Sequence, residues 1–366
     1  MLAEDWPRES LDDLIALPND AETDLFIHLA SLLGRDRRID RVVALEEFDV
    51  ITAASIREHL GLDGLSRATA SLFRDKVVMS NRARAAEIAV PEFIALINHP
   101  AVATYMERVP PPWIIKPRSD VSAIGIKRVN EAAEVWQAIE ELDARERLRE
   151  RSPHYFLAKF IQGDVFHVDA IVSEGEVLFA GVNCYGRPPL QVAHLGGAYI
   201  SRTIASGSAD EKELLSLNQK LVETLGMDHG ATHAEFIKSN ADGRFYFLEI
   251  AARVGGAYIA EVLEFASGVN LWREWARIEL GTEPSARIMP RRNEHAGIVL
   301  SLARQEYPDT SAYNDPEIVY RVKKKHHVGL IVQSANDQRV AGLLDQYAAR
   351  FAEDFIAVVP PLERAE

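Results

Sequence analysis

Residues 232–250, THAEFIKSNADGRFYFLEI, constrain the fold more than any other stretch, because they read as a hairpin that sets two carboxylates side by side. Asn240, Asp242 and Gly243 are loop formers, and strand-like apolar runs, HAEFI and FYFLEI, flank them. A loop over residues 240–244 sets Ser239 against Phe245, and counting outward sets Glu235 against Glu249 on one face. Cross-strand neighbours lie roughly 4.5–5.5 Å apart at Cβ, where like charges destabilise the sheet unless something neutralises them. The pair is therefore either a solvated hairpin face or a cation site. Hard oxygen donors held this way suit Mg²⁺, shared with substrate phosphates.

The flanking segments favour the second alternative. After the second glutamate comes AARVGGAYIAEV, which brings Arg253 and the small backbone of Gly255 and Gly256 off a strand end. Upstream, Lys116 ends the apolar run PPWIIK and precedes PRSDVSAIGI, a small-residue loop. Such a loop can turn backbone N–H groups towards phosphate oxygens while the lysine supplies a point charge. It is neither a GxxxxGK[ST] loop nor a GxGxxG fingerprint, and a surface hairpin is the competing reading. Lys76, in RDKVVMSNRARAAEIAVPEF, opens a predicted helix that stops before Pro91. A solvated helix-start lysine is the alternative there.

In this order the segments resemble the ATP-grasp superfamily, from about residue 75 to about residue 260. Five separated motifs carry the likeness: DK with its helix and the PEF strand, IIKP with its loop, AKFIQGDVFHVDAIV, HAEF, and FLEIAARVGG. The biotin carboxylase and L-amino acid ligase branch is the part of the family it is most similar to. The resemblance implies a nucleotide clamped between two α+β subdomains, and carboxylate activation by ATP with Mg²⁺, for which Mn²⁺ can substitute. It also implies roles for single residues. Lys76 and Lys116 match the lysines on the ATP phosphates, and residues 119–125, with Ser119 and Ser122, match the loop closing over them. Lys159, Phe160 and Ile161 match the hinge whose backbone reads adenine, and Asp164 is the candidate for the ribose. Glu235 and Glu249 match the metal-binding acids, and Arg253 matches the arginine that steadies the transferred phosphoryl group or the carboxylate. Ala251 departs from the pattern, since many members carry a metal-binding asparagine there.

The 366 residues, 47% of them hydrophobic, suffice for two or three lobes. A net charge of −14 argues against a nucleic-acid partner, which leaves a basic stripe. Cys184 is the single cysteine, so no disulfide can form within the chain. The amino terminus lacks an apolar signal core and no apolar run reaches 18 residues, so the expectation is a cytoplasmic protein without a membrane partner.

The expected organisation is α/β and α+β in several lobes. Residues 1–75 read as an N-terminal α/β domain, with RVVAL as a strand and Glu46, Glu47 and Asp49 as substrate-contact candidates or solvated acids. Residues 76–180 form the first ATP-grasp part with a lid over about 110–172, residues 181–290 the second part with the metal and phosphate site, and residues 291–366 a capping subdomain. In the lid, Asn130 precedes a helix whose Val135, Ile139 and Leu142 share a face. Ser208 and Glu211 form a capping box, and Gly226 ends that helix. SEGE, at 173–176, reads as a hairpin turn.

Arg187, His194, Gly196, Gly197 and Arg202 are substrate-side candidates, because a carboxylate needs cationic donors and close backbone approach. His167 and His233 show no HxH or HExxH spacing and are not expected to bind zinc. Lys323 to His327 form a basic cluster that draws an anion or is simply solvated. The resemblance implies a carboxylate–amine ligase that passes through an acyl phosphate to give ADP and phosphate, acting on an amino acid or similar small carboxylate and an amine. A kinase of a small acceptor and a non-catalytic nucleotide-binding protein are the alternatives. Family members often pair through the N-terminal domain, so the resemblance allows a homodimer, while the sequence itself leaves the oligomeric state open.

Overall fold

The computed structural model describes residues 7–18, 20–119, 125–147, 154–190, 192, 196–282, 288 and 293–357. The chain opens with helices α1 (Thr23–Leu33), α2 (Val50–Leu60), α3 (Arg67–Leu72) and α4 (Lys76–Ala85). The α/β domain expected over 1–75 is helical among the described residues, and RVVAL joins no ladder. Unpaired with any strand, the run packs Ala44 on the core instead. Asp75 caps α4 by accepting from the Val77 and Val78 N–H groups, and the helix stops before Pro91 as its sequence predicts.

A small antiparallel sheet follows, made of β1 (Phe93–Ala95), β2 (Trp113–Pro117), β3 (Lys127–Val129) and β4 (Tyr155–Lys159) in the order β1-β4-β2-β3. Trp113, Ile115 and Leu157 alternate onto the face covered by α5 (His99–Arg108) and α6 (Ala132–Arg147), where they bury against Val102, Tyr105, Val135 and Ile139. Ile114 and Lys116 fall on the opposite face. The small sheet and its two helices therefore occupy about 93–159, where a lid was expected over about 110–172.

The remaining strands form one eight-stranded antiparallel sheet. They are β5 (Gly163–Ser173), β6 (Glu176–Tyr185), β7 (Tyr199–Thr203), β8 (Gly230–Ser239), β9 (Phe245–Ala251), β10 (His295–Leu302), β11 (Ile318–Arg321) and β12 (His327–Ser334), in the order β11-β12-β10-β7-β6-β5-β8-β9. The expected boundary at 180/181 cuts β6, and the segment after 291 extends this same sheet through the β10–β7 ladder. Pairing between distant strands decides both points, and local pattern cannot.

Helix α7 (Ala209–Leu225) covers one face, with Leu214, Leu221 and Leu225 packed in the cluster of Phe166, Val168 and Phe236. The Ser208 hydroxyl accepts from the Glu211 N–H at 3.1 Å, and Gly226 ends the helix in the left-handed region at φ +70°. Helices α8 (Ile259–Ser267) and α9 (Leu271–Glu279) cover the other face beside Ile171 and Phe179. Helix α10 (Asp337–Asp354) lays Leu343, Tyr347 and Phe351 over Val299, Leu330 and Val332. SEGE is the predicted turn, with Glu174 and Gly175 both at positive φ. At the start of β5 only glycine fits, since a Cβ on Gly163 would lie 1.8 Å from the Lys238 carbonyl oxygen. No helix among the described residues is long and apolar enough to cross a membrane.

Candidate active site

Glu235 and Glu249 are directly paired across β8 and β9. The register that gives this pairing differs from the predicted one. Near the turn, Lys238 rather than Ser239 faces Phe245, and this offset alone would set Glu235 against Leu248. A β-bulge between Glu235 and Phe236 in the ladder absorbs one residue of β9 and brings Glu249 back into line. Ala251 pairs with His233 and so shares the glutamate face, where its methyl group offers no oxygen donor.

The two predicted lysines reach this pair from different elements. Lys76, buried at the start of α4, places Nζ 3.0 Å from Glu249 Oε2. Its backbone N–H donates to the Arg118 carbonyl, and Arg118 itself is paired with Asp75 at 2.6 Å. The start of α4 is thereby tied to the strand that carries Lys116. Lys116 holds Nζ 5.2 Å from the centre of the Phe156 ring. Removal from water pushes its ammonium down to about 8; Glu249 acts against this and Lys76 adds to it.

Behind Glu235 lies a buried polar chain. Tyr185 donates its hydroxyl hydrogen bond to Glu235 Oε1 at 2.7 Å, and His233 Nε2 lies 3.5 Å from the same oxygen. His233 Nδ1 meets Asp169 Oδ1 at 2.8 Å, Asp169 Oδ2 meets His167 Nδ1 at 2.6 Å, and His167 Nε2 meets the Ser201 hydroxyl at 2.8 Å. Burial disfavours the charged imidazole of His233, but the Asp169 carboxylate outweighs it and lifts His233 to about 10. Burial likewise opposes ionisation of Glu235, yet His233 and Tyr185 bring it down to about 2. Asp169 is held well below the usual carboxylate range by the two histidines against the same burial. The ligand atoms of His167, Asp169 and His233 all lie within 4.8 Å of one another, and each histidine meets a different oxygen of Asp169.

Arg253 is held by a residue 206 positions away. Its Nε and Nη2 lie 3.2 and 3.0 Å from Glu47 Oε2, while Glu47 Oε1 binds Arg74. Arg74 Nη2 then donates to the Ser119 carbonyl at 2.6 Å. Glu47 is thus a buried counter-ion between two arginines rather than a solvated acid. Removing one member of such a set leaves charge uncompensated, so Glu47→Gln should lower stability by about 3 kcal/mol, read from the denaturant midpoint at unchanged slope. A midpoint equal to wild type would show the network to be energetically idle.

At the hinge, the Lys159 N–H donates to the Glu92 carbonyl and the Phe160 N–H to the Pro112 carbonyl. Phe160 and Ile161 line a cavity of about 610 Å³ together with Val129, Ala138, Pro188 and Ile237. Arg128 stands over the Phe160 ring at 4.3 Å. This space, between lid and large sheet, can take a flat apolar ring with a polar edge.

Two predicted residues fall elsewhere. Asp164 pairs with Lys238, and Arg202 with Cys184; by strand alternation both lie on the face shared by Phe166 and Phe236, opposite Glu235. Both charges act on the buried Cys184 thiol, which burial raises first of all. The pleat thus sets both on the face away from Glu235. Arg187 is exposed beside Gly197: a Cβ there would lie 3.9 Å from its Nη1. Gly196 and Gly197 both adopt positive φ, a backbone conformation that favours glycine. Ser122 and His194 lie outside the described residues.

Sequence reading passed over Tyr185, Asp169, Arg74 and Arg128. Only the alternation of Tyr185, Asn183 and Gly181 hinted that Tyr185 faces inward, and that hint needs the strand order to be useful.

Paired acids on a large antiparallel sheet, faced by lysines from a smaller sheet and a helix start across a single hinge, define the ATP-grasp class of fold. Residues 109–261 match the ATP-grasp domain family. The L-arginine-specific L-amino acid ligase of Bacillus subtilis is 22% identical over 252 residues, which are 69% of this chain; the chain spans about 60% of the length of that relative. The crystal structure of an L-amino acid ligase from Bacillus licheniformis superposes with a TM-score of 0.73 at 17% identity, over 97% of this chain and 90% of the other. The biotin carboxylase domain dimer of Hydrogenobacter thermophilus 2-oxoglutarate carboxylase, with MgADP and bicarbonate, gives 0.69 at 16% identity, over 91% and 77%.

Proposed function

We propose that this chain is an ATP- and Mg²⁺-dependent ligase that joins a small carboxylate, such as an amino acid, to an amine. The observation that carries this is the direct Glu235–Glu249 pairing with Lys76 and Lys116 beside it. Two hard carboxylates fit a divalent cation, and Glu235 and Glu249 are the residues to hold it. That cation would offset charge on the nucleotide phosphates. The likeness to L-amino acid ligases in both sequence and structure supports the substrate class.

Lys76 and Lys116 would neutralise phosphate oxygens as the γ-phosphoryl group passes to the substrate carboxylate. Arg253, held in place by Glu47, would orient that carboxylate. The acyl phosphate so formed is captured by the amine, releasing phosphate and leaving ADP. No protein nucleophile takes part. Phe160 and Ile161 would border the base, with Arg128 as a further wall.

The test is ADP release from Mg·ATP with pooled carboxylates and amines, read beside mass spectrometry. ADP together with a condensed mass is the expected result. A stable phosphorylated product would instead make the protein a kinase, and tight ATP binding with no ADP from any pool would favour a non-catalytic role, the reading for which Ala251 speaks.

A further inference from the structure

We propose that the buried chain Ser201–His167–Asp169–His233 fixes the Glu235 carboxylate for its cation, making Asp169 and His233 positioning residues of the site; this rests on the role given to Glu235 above.

Stability does not account for these groups. Ionisable side chains taken out of water cost several kcal/mol each before pairing offsets it, and an apolar set of equal volume is often as stable or more so. The rest of this face shows what such a set looks like, being filled by Ile171, Phe179, Val254 and Leu263. The polar chain is also directional. It starts at the Ser201 hydroxyl and ends at Glu235, and every intermediate atom is spent on the next link. His233 and Tyr185 approach the same oxygen, Oε1, which leaves Oε2 as the ligand atom. This is the arrangement by which outer groups orient metal ligands.

A second observation is steric and independent of charge. A Cβ on Gly255 would lie 2.5 Å from Asp169 Oδ1 and 2.9 Å from His233 Nδ1. No positive φ requires glycine at this position, so space alone demands it. The backbone two residues after Arg253 thus rests on the Asp169–His233 link. A methyl group there must displace the link without altering any ionisable side chain.

The test is Mn²⁺ binding followed by electron paramagnetic resonance in the presence of a non-hydrolysable ATP analogue, using the full chain. Wild type is compared with Glu235→Gln, Asp169→Asn and Gly255→Ala, with thermal unfolding recorded for each. Asp169→Asn and Gly255→Ala should each weaken Mn²⁺ binding about 10- to 100-fold, the usual range for outer-shell changes. Affinity for the analogue without metal should stay as in wild type. A lowered melting temperature with wild-type Mn²⁺ affinity in both variants would make the chain merely structural and overturn the inference. Should one variant fail to fold, the other decides, since one alters charge and the other only space. If Glu235→Gln itself binds Mn²⁺ as wild type does, the cation reading fails, and this inference with it.

Discussion

Lys116→Ala should lower turnover about 10²- to 10³-fold, the range found when one preorganised charge-stabilising donor is removed. The lysine lies on the face of β2 turned away from the lid core, so truncation leaves Trp113 and Ile115 packed as before. A pH signature should accompany the loss. With its ammonium pushed down to about 8 by removal from water, Lys116 gives up its proton as pH rises from 7 to 9 in the nucleotide-free protein. Phosphates favour the charged form, so ATP binding takes up a proton above pH 8 and the Kd for ATP rises with pH, by at most tenfold per unit. Lys116→Met should flatten that rise. Turnover equal to wild type in the alanine variant would remove Lys116 from the site.

Glu249→Ala should be at least as damaging, about 10³-fold in turnover, because a cation held by the pair stabilises developing charge by several kcal/mol. The variant also takes away the partner 3.0 Å from Lys76 Nζ. Nucleotide should still bind, since Lys116 and the hinge remain, but its binding should no longer tighten with Mg²⁺. Comparing ATP affinity with and without Mg²⁺ separates this from unfolding. If Mg²⁺ tightens binding equally in variant and wild type, the hairpin pair is not the cation site.

The hairpin was legible because its signals are local. Loop formers at 240–243 and alternation on both sides suffice to mark the two strands and the turn between them. Yet the count was correct only because two departures cancel: the turn pairs one residue earlier than expected, and the bulge at Leu248 restores the line. Bulges leave no composition signal in a run such as FYFLEI. Asp164 and Arg202 were placed by nearness to motifs, and strand parity sets them on the face opposite Glu235. The strand expected over RVVAL failed for a related reason, since a ladder needs a partner that the local run does not specify. Glu47 looked like a solvated acid because its partners, Arg74 and Arg253, lie 27 and 206 residues away. The His167–Asp169–His233 chain was invisible because its members sit on two strands whose adjacency is a fact of topology.

The lid leaves and rejoins the rest of the chain at one place, where the Lys159 N–H meets the Glu92 carbonyl at 2.8 Å. Everything from β1 to β4 is thus an insertion with adjoining ends, and if it closes over a nucleotide, that closure would be an equilibrium of its own. Any measured nucleotide affinity is the intrinsic affinity scaled by the fraction of molecules already closed, so a lid shut about 1% of the time weakens the apparent Kd about 100-fold. Substitutions in the core under α5 and α6, such as at Val102 or Ile139, should then shift affinity without touching the ligand. The same adjacency makes residues 93–159 a portable part: exchanging them between relatives would move the swing equilibrium while leaving the acidic pair on its sheet.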